Sequence, residues 1–263
     1  MRKIIKNRKY PGFILQCKEE LVLDSGKILD EFEIAYQTYG ELNVNKSNAI
    51  FVCHALTGDQ FPAEKNPITK KTGWWDLMIG PGKTIDTNKY FVICSNVLGG
   101  CVGTTGPNEI NPKTNKIYGI EFPTITIQDM VRVQKILVDE LKIDKLLSVL
   151  GGSMGSMQVL QWAATYPESL RSIISIAGAL KHSAQNIAFD EAGRQSIMLD
   201  PNWKKGNYII EDTKPENGLS VARMIAHITY LSDAAFQKKF GRNLQEKQDL
   251  SFGFDIDFQV ESY

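Results

Sequence analysis

The chain holds 263 residues, 43% of them hydrophobic and 23% charged, and its thirty basic and thirty acidic side chains cancel to a formal net charge of zero. That length suits one large α/β domain or a core with an insertion. The charge balance excludes bulk electrostatic attraction to nucleic acid or to a membrane surface.

No apolar run approaches transmembrane length, and the basic residues 1–9 are not followed by a signal-peptide core, so a cytoplasmic protein is expected. The four cysteines, Cys17, Cys53, Cys94 and Cys101, show no paired spacing. A reduced setting without a structural metal is the corresponding expectation.

Taken in order, residues 20–24 and 32–39 read as the first strands; in the second, Phe32, Ile34 and Tyr36 alternate with Glu33, Ala35 and Gln37. Residues 49–53 and 90–94 are continuous apolar runs, as expected of strands buried on both faces of a parallel sheet. Residues 126–141 carry the apolar stripe of a helix. A strand at 146–150, a helix at 154–166 closed by Pro167, and a strand at 170–176 follow. Alternating strands and helices predict an α/β fold with a mostly parallel sheet and helices on both faces. Beyond Gly178 the pattern becomes helical, at 183–199, 219–231 and 234–240. The predicted organisation is a core over residues 1–180 and a helical lid over 181–263.

The run Gly151-Gly152-Ser153-Met154-Gly155 joins the strand at 146–150 to the helix at 154–166. A Gly-x-Ser-x-Gly sequence in that context is a nucleophile elbow, a strained turn that lifts the serine clear of the sheet edge at a helix N-terminus. Gly151 and Gly155 provide residues without a Cβ on either side of the serine. Taken alone, a glycine-rich βα turn is also a plain tight connection. Acyl transfer through Ser153 needs two oxyanion donors, one from the following residue, Met154 N–H, and one from the loop after an earlier strand. That loop is His54-Ala55-Leu56-Thr57-Gly58, with Leu56 N–H as the candidate donor. An ordinary βα loop whose His54 bonds to backbone is the structural alternative.

Several blocks resemble the homoserine O-acetyltransferases of the α/β-hydrolase type. They include Ala35-Tyr36-Gln37-Thr38-Tyr39-Gly40, His54-Ala55-Leu56-Thr57-Gly58, Trp74-Trp75-Asp76 and Ser95-Asn96-Val97-Leu98-Gly99-Gly100-Cys101. Gly151-Gly152-Ser153-Met154-Gly155, Ala222-Arg223, Ile228-Thr229-Tyr230 and Lys239-Phe240-Gly241-Arg242 continue the series. The resemblance implies transfer of an acetyl group from acetyl-CoA through an acyl-serine to L-homoserine, for methionine synthesis. Acetyl-CoA is then a co-substrate, with no resident cofactor and no metal. A homodimer through the lid helices is also implied.

Arg223 matches the family's substrate-binding arginine, and a guanidinium suits an α-carboxylate because it binds both oxygens. Tyr230 is a weaker candidate for orienting the substrate. For His227 the structural reading leads. Arg194 is explained equally well by a funnel-facing role or by a lid salt bridge.

Serine chemistry also requires a carboxylate and a histidine, later in the chain. In the resemblance both lie beyond the lid, so this chain reads as C-terminally truncated, without the last strands of the sheet. His182 and His227, with Asp200 and Asp212, offer the right order but not the family's geometry. The 263-residue polypeptide alone is therefore expected to be poorly stable and nearly inactive; stoichiometric acetylation of Ser153 at enzyme-like rates would refute this. The alternatives are a homoserine O-succinyltransferase or serine O-acyltransferase of the same fold, a plain esterase, and, from another class, a non-catalytic fragment or pseudoenzyme.

Overall fold

Residues 32–39, with their period of two, form a strand over that whole range, and the uninterrupted apolar run at 49–53 forms the most deeply buried strand of the sheet. The computed structural model describes residues 1–7 and 11–262. Its contacts divide into two compact units, Met1–Lys181 and His182–Tyr263.

The first unit is built on a seven-stranded sheet: β1 (Arg2–Lys6), β2 (Phe13–Cys17), β3 (Phe32–Tyr39), β4 (Ala49–Cys53), β5 (Phe91–Ser95), β6 (Ser148–Gly152) and β7 (Ile173–Ile176). Their spatial order is β1-β2-β3-β5-β4-β6-β7. The β5-β4, β4-β6 and β6-β7 pairs are parallel, while β1-β2, β2-β3 and β3-β5 are antiparallel. Only β1 and β3 therefore oppose the common direction, which makes the sheet mostly parallel.

The antiparallel edge differs from the sequence expectation. β1 and β2 mix Arg2, Lys3, Lys6 and Gln16 with apolar residues, and this edge hairpin gives little hydropathy signal. Residues 20–24 shrink to a two-residue strand, Leu21–Val22, paired with Ile28–Leu29 outside the main sheet. The strand expected from residue 170 begins at Ile173, because the 3₁₀ turn Pro167–Ser169 and a single bridge between Leu146 and Leu170 occupy the approach.

Pleating sends alternate residues to opposite faces. On one face Ala49, Phe51, Cys53, Ile93 and Val149 pack with α1 (Ile127–Glu140) and α2 (Met154–Thr165) through Val131, Leu137, Val138, Val159 and Trp162. On the other, Ile50, Val52, Val92, Cys94 and Leu150 are covered by the 61–85 segment through Ala63, Trp75, Met78, Ile79 and Ile85. Burial raises the Cys53 and Cys94 thiols and pushes Cys17 up to about 12, so these three behave as small hydrophobes.

A capping box starts α1: Thr126 accepts from the Asp129 amide, and Asp129 accepts from the Thr126 amide. The other oxygen of that fully buried carboxylate accepts from the Asp24 amide at 3.0 Å and pairs with Arg132 at 3.1 Å. No helix among the described residues is long and apolar enough to cross a membrane.

The second unit contains α3 (Ala184–Leu199), α4 (Glu216–Tyr230) and α5 (Asp233–Lys239). The Asp200 carboxylate caps the 201–206 turn by accepting from the Asn202 amide and ties it to the first turn of α4 by accepting from the Gly218 amide, both at 2.8 Å. Those bonds hold its pKa below the usual carboxylate range.

Leu137 is fully buried between the two helices and the sheet. Leu137→Ala should lower unfolding free energy by roughly 2–5 kcal/mol with an unchanged denaturant slope, read by equilibrium chemical denaturation.

Candidate active site

The strand order reverses its sense at β4. From β4 the chain steps to β5 on one side, then crosses to β6 on the other. The C-terminal ends of β4 and β6, where connections diverge to opposite sides, are where an open α/β sheet offers a binding cleft. Those ends carry the 54–58 loop and the Ser153 turn, and the pairing of Gly151 with Cys53 sets them next to each other.

Ser153 sits between β6 and α2 with φ 56° and ψ −123°, a conformation that a residue with a Cβ rarely adopts and that costs on the order of 1–3 kcal/mol. Three hydrogen bonds sustain it. Its N–H donates to the Ile176 carbonyl at 3.1 Å, and its carbonyl accepts from Ser156 N–H at 2.9 Å and Met157 N–H at 3.2 Å. The side chain is exposed.

Met154 opens the helix, so its N–H has no carbonyl four residues back. The turn closes only because its glycines admit a neighbouring backbone. A Cβ at Gly151 would stand 2.6 Å from the Cys53 carbonyl oxygen, and one at Gly155 would overlap that same carbonyl. Gly152 differs, since nothing lies nearer than 3.9 Å.

The 54–58 loop turns on a bond from Gly58 N–H to the Ala55 carbonyl at 2.9 Å, and a Cβ at Gly58 would meet the His54 Cβ at 2.9 Å. Leu56 is 75% exposed at its tip. His54 is buried and both ring nitrogens are engaged. Nδ1 lies 2.7 Å from the Ala55 carbonyl, while Nε2 accepts from Val97 N–H at 3.1 Å beside the Asn96 amide at 3.3 Å. That set assigns the proton to Nδ1. Burial lowers the His54 pKa, outweighing the Ala55 bond and Asp59, so the ring is neutral. His54 is the sole histidine of the first unit, and it joins the 54–58 and 96–106 loops rather than facing the serine with a free nitrogen.

Three buried polar residues of this region had no role assigned from sequence, although Asn96 lies in the Ser95–Cys101 block. Gln134 and Gln158 are fully buried and bonded to each other at 2.6 Å, and Asn96 lies buried beside His54. A glutamine amid Val131, Val133, Leu137 and Val138 on a helix's buried face was the available signal.

In the second unit, Arg223 lies on an exposed part of α4, and Tyr230 is 77% exposed at its last turn. Arg194 pairs with Glu191 one turn away, at 2.5 Å. His182 Nδ1 lies 3.3 Å from Asp190. The His227 ring packs edge-on against Phe236 and Phe240 at 5.1 and 5.7 Å. Desolvation, then Lys239 and Arg223, lower its pKa.

Two outcomes follow from this geometry. Gly155→Ala should cost about 1–3 kcal/mol by denaturation, whereas Gly152→Ala should change stability by less than about 0.5 kcal/mol. The depressed His54 pKa means the unfolded chain takes up its proton first as pH falls through the ordinary value of 6.5. Stability is therefore complete above that pH and declines below it. In denaturation midpoints measured from pH 7.5 to 5, His54→Gln should flatten the decline, with His227 supplying the remainder.

The family model described as the alpha/beta hydrolase fold matches residues 48–257. Curated homoserine O-acetyltransferases are similar across most of the chain. That of Mesorhizobium japonicum is 61% identical over 92% of this chain and 62% of its own length, and that of Caulobacter vibrioides 60% over 94% and 64%. The chain thus spans under two thirds of the length of these relatives. Among solved structures, the homoserine O-acetyltransferase of Bacillus anthracis is 32% identical with a TM-score of 0.80, covering 92% of this chain and 63% of that one. A crystallised esterase is 33% identical with a TM-score of 0.83, covering 100% and 71%. With the strained serine turn at the switch point of the sheet and a family-model match over residues 48–257, the chain belongs to the alpha/beta hydrolase fold family.

Proposed function

We propose that this chain carries the acyl-transfer centre of a homoserine O-acetyltransferase. The observation that carries the proposal is Ser153 held at φ 56° at the end of β6, beside the 54–58 loop, in a chain about 60% identical to curated enzymes of that name. Ser153 is the nucleophile. The backbone N–H groups of Met154 and Leu56 receive the oxyanion, Arg223 binds the substrate carboxylate, and Tyr230 is a secondary contact.

In the first step Ser153 Oγ attacks the thioester carbonyl carbon of acetyl-CoA. The carbonyl oxygen takes the negative charge, the carbon–sulfur bond breaks, and CoA leaves with the serine proton. In the second, the L-homoserine hydroxyl attacks the acyl carbon. Its proton returns to Ser153 Oγ as O-acetyl-L-homoserine departs. An unassisted serine hydroxyl is a weak nucleophile. His54 keeps both nitrogens engaged, so it does not serve as the base for these steps. Acetyl-CoA acts as a co-substrate, and a cytoplasmic homodimer completes the proposal.

The similarity to a solved esterase favours one second reading, in which water replaces homoserine as acceptor. The elbow and oxyanion donors serve both reactions alike; Arg223 has a carboxylate to bind only in the transfer.

Incubating the purified chain with acetyl-CoA, with and without L-homoserine, separates them by mass spectrometry of the Ser153 peptide and of the products. Acetyl on Ser153 and its passage to homoserine are expected, at far below enzyme-like rates from these 263 residues alone, with loss of both in Ser153→Ala. Acetate as the sole product in the presence of homoserine would establish the hydrolase instead, and succinyl-CoA run in parallel tests the acyl donor. Arg223→Ala should raise the homoserine KM by roughly ten- to a hundredfold and leave that for acetyl-CoA unchanged. Equal effects on both would overturn the carboxylate assignment.

A further inference from the structure

Four side chains and two carbonyls form a continuous polar line through the apolar layer between α1, α2 and β4. Trp162 Nε1–H donates to Gln134 Oε1 at 2.7 Å, and Gln134 Nε2–H donates to Gln158 Oε1 at 2.6 Å. Gln158 Nε2–H then donates to the His54 carbonyl at 3.2 Å and to the Met154 carbonyl at 3.3 Å. The Cys53 thiol joins at Gln134 Oε1, at 3.8 Å. Trp162, Gln134 and Gln158 are all within 1% of complete burial.

The direction of this line is not free. An indole nitrogen only donates, so Gln134 must turn its oxygen toward Trp162 and its NH₂ toward Gln158. Gln158 must then accept on its oxygen and point its own NH₂ at the two carbonyls. One of those carbonyls, Met154, belongs to the first residue of α2. The other, His54, begins the loop that carries Leu56.

Apolar side chains would fill this volume without two buried amides that each need complete pairing. We infer that Gln158, oriented by Gln134, is a positioning residue that fixes the 54–58 loop to the first turn of α2, holding the Leu56 and Met154 N–H groups in one frame. The inference deepens the proposed roles of Ser153, Leu56 and Met154 and rests on them.

The test compares the full chain with Gln158→Met, Gln134→Met, the double variant and Gln158→Glu. Amide hydrogen exchange is read separately for peptides covering 54–58 and for the β5 peptide covering 91–95. Loop exchange should quicken about tenfold or more in either Met variant, and the double should be no faster than the singles, as expected of one line acting as a unit. The β5 peptide should stay within about twofold of wild type. Gln158→Glu has an O–H to donate only while protonated. Its loop protection, taken relative to β5, should therefore be near normal at low pH and fall as the introduced carboxyl titrates, a profile that space-filling alone would not produce.

Additive effects, equal acceleration in both peptides, or an unchanged loop would each overturn the inference. The second readout is the rate at which Ser153 is labelled by a phosphonofluoridate, in which Oγ bonds to phosphorus, fluoride leaves and the hydroxyl proton passes to buffer. Labelling should slow about tenfold wherever the loop loosens, and a loosened loop with undiminished labelling would refute the positioning role. A loop that responds as expected around a Ser153 that takes neither label nor acetyl, even with imidazole supplied as an external base, would leave the mechanical link standing and defeat the nucleophile reading.

Discussion

The structure of the site depends on one close approach, that of the Cys53 carbonyl to the backbone of the serine turn. β4 and β6 are adjacent parallel strands in register, so the end of β4 arrives where β6 must turn sharply into α2. Side chains at 151 and 155 would hold the two segments apart, and glycine at both lets the carbonyl rest against the turn. Once that contact is made, the start of α2 and the exit from β4 are set by one backbone contact. The left-handed φ of Ser153 is the cost of turning within that space, and its bonds to Ile176, Ser156 and Met157 offset it.

Burial then decides which groups near the turn retain chemistry. His54, Cys53 and Cys94 lie at or near the ends of the same strands and include the types that often act as bases and nucleophiles. Desolvation drives the histidine toward its neutral form and the thiols toward theirs. Each is thereby assigned to packing or to backbone pairing. Ser153, the exposed hydroxyl at the turn, requires no ionisation to remain in place. The contrast is physical: a hydroxyl is cheap to hold at a crevice edge, whereas an imidazole must give its nitrogens partners once it is covered.

Much of this was legible in sequence because it is local. Residues 32–39 alternate, residues 49–53 are uniformly apolar, and Gly-x-Ser-x-Gly sits between a strand and a helix; each pattern reports its own backbone. The 126–141 stripe was readable for the same reason, while the Thr126 capping box that opens the helix was not. What else escaped was set by distant partners. β1 at the sheet edge and its neighbour β2 are strands by virtue of their pairing rather than their composition. Residues 20–24 look extended but find a partner only over two positions. The Gln134–Gln158 pair joins residues 24 apart in sequence, and neither glutamine belongs to a motif. For Arg194 the sequence allowed two roles, and the spacing to Glu191 along α3 supplied the partner.

The serine turn also limits what a backbone can encode. Holding an acyl group requires a nucleophile and donors fixed relative to one another, and the β4–α2 contact supplies that frame whatever attacks next. The choice between water and an amino-acid hydroxyl needs groups that recognise the acceptor, and a frame made of main-chain atoms recognises none. A transferase and an esterase can therefore share nearly the same fold. Their difference rests in a few side chains able to bind a carboxylate or exclude water, since a buried or paired charge discriminates far more strongly between ligands than shape alone. Under the proposed function the elbow would take the acyl group, and a guanidinium such as that of Arg223 would be the kind of group to decide where it goes.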